Sequence, residues 1–259
     1  MALGSKEDTA GRKHLRPNPK APMESDALLP GDPARALALA QELLVEPLMS
    51  NHARGLWGYS GRTPNGDGLT IQSTGIGAAS GAVVLAELAG LGVRRAVRIG
   101  TCRALQSDRE GARIPDRDGA DATEEEVGQV LIAERVLALD GVSAELSAGG
   151  AGEVLEPDPG LTAALIESGV GTPATIAGED PLAPAGSVKN ETLAASGAQA
   201  ADLQIAALVA VGQRVGIAIG CVDLVVESAY GVTTLDDDQV MAKSIQIGRA
   251  VGTALESLT

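Results

Sequence analysis

The amino-acid sequence predicts an α/β protein, a three-layer α/β/α sandwich around a central mixed, mostly parallel sheet. Three observations lead there. A short apolar strand, a glycine turn and a helix of period about 3.6 follow one another twice near the start of the chain. A further strand comes directly after the second helix, and a strand, helix and strand of this length imply a right-handed parallel crossover. The 259 residues include no Phe, one Trp and two Tyr. Ala, Val, Leu and Ile must therefore fill the core, and a site that reads a flat base has few rings to stack on it.

Residues 1–24 are polar, rich in Lys, Arg, Pro and Gly, and are expected to form a mobile arm ahead of a single domain over 25–259. Ala27 to Pro30 reads as a strand, Gly31-Asp32-Pro33 as a turn, and Ala34 to Leu48 as a helix. The second copy is a strand over Gly68 to Thr74, a tight approach at Gly75-Ile76-Gly77, and a small-residue helix from Ala78 to Leu91 ended by Gly92. Arg94 to Thr101 is the next strand. Gln106 to Gly128, with the run Glu124-Glu125-Glu126, has no apolar period and reads as a solvated loop. Regular structure resumes at Val130 to Leu139. Helices are expected over Pro159 to Ser168, Ala200 to Val211 and Asp237 to Leu258, with strands near Thr175 and over Val215 to Val222.

Three arginines stand in apolar or glycine-rich settings: Arg35 after the Gly31-Asp32-Pro33 turn, Arg54 before Gly55-Leu56-Trp57-Gly58, and Arg98 inside Ala96-Val97-Arg98-Ile99-Gly100-Thr101. A guanidinium in a buried strand needs a partner, and no acid lies near Arg98 in sequence. Two readings are open. Each arginine binds an outside oxyanion, for which the guanidinium fork is shaped and to which Gly31 and Gly100 let backbone amides approach. Otherwise each sits on a solvated strand edge or pairs with a distant carboxylate.

A net charge of −14 argues against nucleic acid as a partner, while leaving room for a small anion in a local basic pocket. Cys102 and Cys221 lack metal-ligand spacing and read as small buried hydrophobes, so no metal is expected. With no leader-like segment and no apolar run of about 18 residues, the expectation is a reduced, cytoplasmic protein that does not enter a membrane.

Four motifs occur in order: Pro30-Gly31-Asp32-Pro33-Ala34-Arg35, Arg54-Gly55-Leu56-Trp57-Gly58-Tyr59-Ser60-Gly61, Ser73-Thr74-Gly75-Ile76-Gly77, and Arg98-Ile99-Gly100-Thr101-Cys102. From about Leu28 onward the chain resembles the nucleoside phosphorylases, the group of hexameric purine nucleoside phosphorylase and uridine phosphorylase. The resemblance implies phosphorolysis of a nucleoside, purine type favoured, to free base and ribose 1-phosphate, with inorganic phosphate as co-substrate and no cofactor. It implies that Gly31, Arg35, Arg98 and Thr101 bind phosphate, with Arg54 reaching in from a neighbouring subunit. It further implies a homodimer at minimum, organised as a trimer of dimers, in which His14 crosses the same interface to the sugar. Leu203 and Gln204 correspond to ribose-binding positions, and Thr74, Gly75, Leu182 and Asp202 to base-binding ones.

Such a reaction needs a dianion held beside the anomeric carbon. At an effective dielectric near 20, a unit charge pair about 4 Å apart gains roughly 4 kcal/mol, enough for converging guanidiniums to offset phosphate desolvation. Asp223, after the apolar run Val215 to Val222, is the expected acid for the departing base, placed at the carboxyl end of a core strand where desolvation raises its pKa. An Asp capping the following turn is the plainer alternative.

Some positions depart from the family pattern. Asp202-Leu203-Gln204 stands where the family has Glu-Met-Glu, so the sugar-gripping charge is lost at Gln204. Leu182-Ala183 replaces an aromatic pair over the base, and Arg103 replaces a glycine, either adding a cation or crowding the site. The alternatives are a uridine or methylthioadenosine phosphorylase, a catalytically weak member that binds a nucleoside or sugar phosphate, and a hydrolase relative that uses water.

Overall fold

The computed structural model describes residues 14–105, 127–180, 193, 195–227 and 234–258. In chain order the elements are β1 (Asp26–Pro30), α1 (Pro33–Leu43), β2 (Val45–Asn51), a 3-10 turn (Ala53–Gly55), β3 (Gly58–Arg62), β4 (Gly68–Gln72), α2 (Gly77–Gly90) and β5 (Arg95–Ala104). They continue with β6 (Val130–Leu137), α3 (Gly141–Leu146), β7 (Val154–Leu155), α4 (Pro159–Glu167), β8 (Thr172–Gly178), β9 (Ala200–Asp202), α5 (Ile205–Val215), β10 (Ala218–Glu227) and α6 (Asp237–Glu256).

Local chemistry sets the helix ends. Asp32 caps α1 by accepting from the Arg35 amide, and Pro33 follows it in the first turn, where a missing N–H costs nothing. Asp158 and Pro159 repeat the device at α4. Asp236 and Gln239 form a reciprocal capping box at α6. α5 ends at Gly216, which takes the left-handed conformation with φ of 74°.

All ten strands join one mixed sheet. β1 lies between β4 and β5, parallel to both, and β5 is parallel to β10. β2, β3 and β4 form an antiparallel meander on one edge, ending in β2. On the other side β5, β10, β6, β8 and β9 pair in a closed circuit, because β9 returns antiparallel to β5. Among the described residues, parallel and antiparallel pairings are equal in number, so the sheet is mixed and the expected parallel majority is corrected. The meander, the β9 return and the pairings of β6 with β10 and β7 supply the antiparallel half.

Alternation along the central strands divides the core. Ala27, Leu29, Ala96, Cys102, Cys221 and Val225 join one cluster with α2 and α5 residues such as Leu85, Leu88, Leu208 and Val209. Leu28, Val97, Ile99, Val222 and Leu224 join a second cluster with Leu39 of α1, Leu165 of α4 and Val251 of α6. Successive side chains of a strand point to opposite faces, which is why neighbours in sequence fall in different clusters.

Several expected boundaries move. The helix expected to reach Leu48 stops at Leu43, and Val45–Asn51 is the edge strand β2. Pro47 excludes helical backbone at Glu46, which adopts φ of 49°. The helix expected from Ala200 starts at Ile205, because Ala200–Asp202 pair as β9 with β5 and β8. β10 begins and ends later than expected. β3, α3 and β7 were not foreseen. Of the expected arm, residues 1–13 lie outside the described residues; in the remainder, Leu15 and Ala21 are buried against the body. Most of the expected 106–128 loop also lies outside the described residues.

Gly171, just before β8, sits where an added Cβ would lie 2.5 Å from the Val130 carbonyl oxygen of β6. Backbone cannot yield as a side-chain tip can, so Gly171→Ala is expected to lower unfolding stability by about 1–3 kcal/mol. Urea unfolding of the variant and the parent measures this, and equal midpoints with equal slopes would contradict it.

Candidate functional site

The turns that follow β1 and β4, the outer part of β5 and the end of β9 converge on one cavity of about 670 Å³. Crevices beyond the carboxyl ends of parallel strands are where open α/β sheets bind ligands. Gly31, Arg35, Arg54, Gly75, Arg98, Thr101, Asp202, Leu203 and Gln204, all expected site residues, lie on its wall together with Ile76, Gly77 and Ser80. Three guanidiniums face two carboxylates, Asp32 and Asp202, in a chain of net charge −14. The cavity is thus a local basic region on an acidic protein.

Arg98 is 4% exposed. Its Nη2 donates to Asp202 Oδ2 at 2.6 Å and its Nη1 to Gln204 Oε1 at 2.7 Å. Its Nε stands 3.5 Å from Asp223 Oδ1 in an ion pair without hydrogen-bond geometry. Burial opposes the charge, yet Asp202 and Asp223 outweigh it and raise the Arg98 pKa above its ordinary value. Of the two readings left open by the sequence, pairing with distant carboxylates is the one Arg98 meets: Asp202 arrives from β9 and Asp223 from β10, more than a hundred residues along the chain. Of its five N–H groups, these hydrogen bonds use one on each Nη, and Nε makes none.

Arg35 differs. It is buried to 8% exposure, its Nη1 finds no hydrogen-bond acceptor, and burial, with Arg98 nearby, lowers its pKa from the ordinary value. Two like charges under cover, one with an idle donor, are the condition an oxyanion relieves. Gly31 belongs to this corner, because a Cβ there would touch Arg35 Nη2 at 3.4 Å. Arg54 is exposed on the 3-10 turn in left-handed backbone, φ 59°. It lines the cavity of its own chain, where the resemblance implies service to a neighbouring subunit.

Gln204 does not offer its amide to the cavity. Oε1 accepts from Thr74 Oγ1 at 2.8 Å and from Arg98, and Nε2 donates to the carbonyls of Gly75 and Gly77 at 2.9 and 3.0 Å. All four bonding positions are used, so Gln204 braces α5, the Gly75–Gly77 turn and β5 together. A glutamate could not donate to those two carbonyls, which explains the amide here. Thr74 is likewise fully buried, its hydroxyl shared between Gln204 and the Pro30 carbonyl, and it is absent from the cavity wall. Asp202 lines the cavity with both oxygens engaged, Oδ1 by the Gln204 and Ile205 amides and Oδ2 by Arg98.

Asp223 is placed differently from the expectation. It lies in the interior of β10, opposite Gly100 of β5, and is 0% exposed. It is absent from the cavity wall, while Arg98, whose Nε stands 3.5 Å from its Oδ1, is on it. Burial first, then Asp202, pushes its pKa up to about 7 against the lowering effects of Arg98 and Arg35. Gly100 makes the arrangement possible, because a Cβ there would collide with Asp223 Oδ1 and Arg98 Nε.

His14 also stays away from the cavity of its chain. Its Nδ1 lies 2.7 Å from Glu87 Oε1, and Glu87 accepts the His14 and Leu15 amides as well. Glu87 is ten residues along α2 from Gly77, about 15 Å from the cavity end. Arg103 pairs with Glu179, Nε to Oε1 at 2.9 Å and Nη2 to Oε2 at 2.6 Å, and is not on the cavity wall. It neither joins the three arginines nor fills their space. Leu182 lies outside the described residues.

Ile76, Gly77 and Ser80, at the start of α2, are wall residues that sequence reasoning missed. A helix beginning without a side-chain cap was the available signal.

The model of the phosphorylase superfamily matches residues 26–257. A stretch of 82 residues is 43% identical to a purine nucleoside phosphorylase DeoD-type of Oceanobacillus iheyensis, covering 31% of this chain and 34% of that relative. A namesake from Caldanaerobacter subterraneus is 42% identical over 82 residues, 31% and 35% of the two chains. Another from Clostridium novyi is 39% identical over 85 residues, 32% and 36%. The chain thus spans about a third of the length of the curated relatives it matches.

Two outcomes follow from these contacts. Gln204→Met leaves two carbonyls and an Arg98 N–H unpaired in a buried wall and is expected to cost about 2–4 kcal/mol of stability, read from urea unfolding. For Asp223, a folded pKa of about 7 against 3.8 unfolded means that the native state binds the extra proton between those values. Native stability therefore falls as pH rises from 4 to 7. Asp223→Asn removes that slope, so its melting temperature relative to the parent should climb between pH 5 and pH 8. A constant difference across that range would refute the assignment.

Proposed function

The chain belongs to the phosphorylase superfamily, and from that premise we propose that it carries out phosphorolysis of a nucleoside, purine type favoured, giving free base and ribose 1-phosphate. The observation that carries this reading is the convergence of Arg35, Arg54 and Arg98 with Gly31 and Thr101 on one cavity, where Arg35 Nη1 is buried without an acceptor. Orthophosphate is the co-substrate and no cofactor enters.

In this reading Arg35 and the remaining Nη hydrogens of Arg98 grip the phosphate, Arg54 closes on it from the exposed turn, and Thr101 and the Gly31 backbone complete the cradle. The dianion is then held where positive charge develops on the sugar as the base departs. The base and sugar occupy the side of Gly75, Asp202 and Leu203. Asp223 is not assigned the acid's part, since it has no face on the cavity. The relatives' printed name, purine nucleoside phosphorylase, supports the choice of base.

A three-layer α/β/α arrangement fits the two helix-bearing core clusters on alternate strand faces. The proposed assembly is a homodimer at minimum, in a trimer of dimers. Exposed Val45 and Leu48 on the edge strand β2 support it, and any sugar contact by His14 would then fall in another copy's cavity. A cytoplasmic setting suits small intracellular substrates; no described helix is long and apolar enough to cross a membrane.

A second reading, a catalytically weak member that binds a nucleoside or sugar phosphate, is favoured by the saturated Gln204 and the sealed Asp223. Phosphate-dependent base release across inosine, adenosine, guanosine, uridine and methylthioadenosine separates the two. Turnover with a purine nucleoside is expected; ligand binding without turnover selects the second reading, and equal rates with and without phosphate select a hydrolase. Arg35→Met should reduce kcat/KM for phosphate by about a hundredfold, and an unchanged value would remove the arginine cradle from the mechanism.

A further inference from the structure

We propose that Asp223 is a positioning residue for the anion, a buried counter-charge behind Arg98 that takes up a proton when an oxyanion enters the cavity and so frees the guanidinium for it. The inference rests on the reading that this cavity binds an oxyanion.

The geometry joins the cavity to a buried acid through one guanidinium: Arg98 is on the cavity wall, and Asp223, which is off the wall and 0% exposed, stands 3.5 Å from its Nε. Neither Asp223 oxygen has a hydrogen-bond partner among the described residues, although both are buried. A carboxylate without hydrogen bonds in such a place is costly, and it persists only beside a fixed cation. Arg98 already has Asp202 as a full hydrogen-bonded partner. With Asp223 also ionised, two carboxylates cancel the charge of one guanidinium, and an incoming dianion meets little attraction. With Asp223 protonated, Arg98 and Arg35 present net positive charge.

Among the described residues, the groups facing Asp223 are few. From β5 come Arg98 and the thiol of Cys102, from β9 Asp202, from α1 Arg35, and from its own strand the thiol of Cys221. Burial raises both thiols well above their ordinary pKa, so they stay neutral. β6 presents Leu131 opposite Asp223. The side of α5 packed on this face is apolar, from Ile205 to Val211. α4 and α6 pack on the opposite face, with Val222 and Leu224. Asp223 is therefore the group of this cluster able to change charge near neutral pH, and the proton comes from bulk buffer with no bond made or broken elsewhere.

Linkage sets the direction. An anion that stabilises Arg98 in its exposed charge state raises the affinity of Asp223 for a proton, and a proton on Asp223 raises the affinity for the anion by the same factor. Sulfate is the probe, because its charge stays constant from pH 5.5 to 8.5 whereas phosphate titrates within that range. For the full chain, titration calorimetry should show sulfate binding about tenfold tighter at pH 6 than at pH 8.5, with proton uptake near pH 7 when buffers of different ionisation heat are compared. Asp223→Asn should bind at the tighter value at both pH values and take up no proton. His52 stands beside the Arg54 turn, and His52→Gln should keep the parent slope.

Sulfate binding that is independent of pH and takes up no proton overturns the inference while leaving the anion site intact. So does a parent-like slope in Asp223→Asn, or loss of the slope in His52→Gln. No sulfate binding at any pH instead overturns the anion-site reading, and the inference falls with it. Should Asp223→Asn fail to fold, proton uptake by the parent protein decides by itself.

Discussion

Arg98 lies mid-strand between two apolar clusters, and a guanidinium is tolerated there only because three other segments turn polar groups toward it. β9 delivers Asp202, the start of α5 delivers Gln204, and β10 delivers Asp223. Desolvating the cation would cost several kcal/mol if any of these were missing. The convergence explains why β9 must return antiparallel to β5 and close the strand circuit, since that return carries Asp202 and Gln204 to the cavity floor. It also explains Gly100, the one residue type whose side leaves room between Arg98 and Asp223.

Around this floor the cavity is built from backbone turns with little freedom. The Asp32 cap fixes the first turn of α1 and with it the direction of Arg35. Gln204 ties the Gly75–Gly77 turn down through two carbonyls, and Ser80 holds the Thr74 carbonyl at 2.6 Å. Gly75 and Gly77 adopt φ of 73° and 79°, backbone that other residues enter only with strain. The scaffold is thus rigid where the oxyanion is proposed to sit. Arg54 is the exception, exposed on a short turn and free of that framework.

The same network redistributes roles among residues that look catalytic in the linear chain. A buried acid after an apolar run reads as a proton donor, and Asp223 is fully buried beside a cation, 3.5 Å from Arg98 Nε. A glutamine in place of a glutamate reads as a weakened sugar ligand, yet Gln204 is a structural cross-link with every bonding position filled.

Much of the design was legible in one dimension. Asp32-Pro33 announces a helix start through capping and a fixed φ, the alternation in β1 and β5 announces buried strands, and the three arginines with their glycines mark a basic cavity that the fold does assemble. These are local signals, carried by neighbouring residues, so the sequence by itself determined the mixed α/β class and the arginines and glycines of the cavity wall. Tertiary structure alone decided which groups meet across long separations: Arg98 with Asp202 and Asp223, Gln204 with Thr74, and Arg103 with Glu179. β2 and β9 belong to the same category, one an edge strand interrupted by Pro47 and the other only three residues long. Pairing and burial at those places depend on partners distant in the chain, and desolvation makes the partner, more than the residue itself, the determinant of charge state and role.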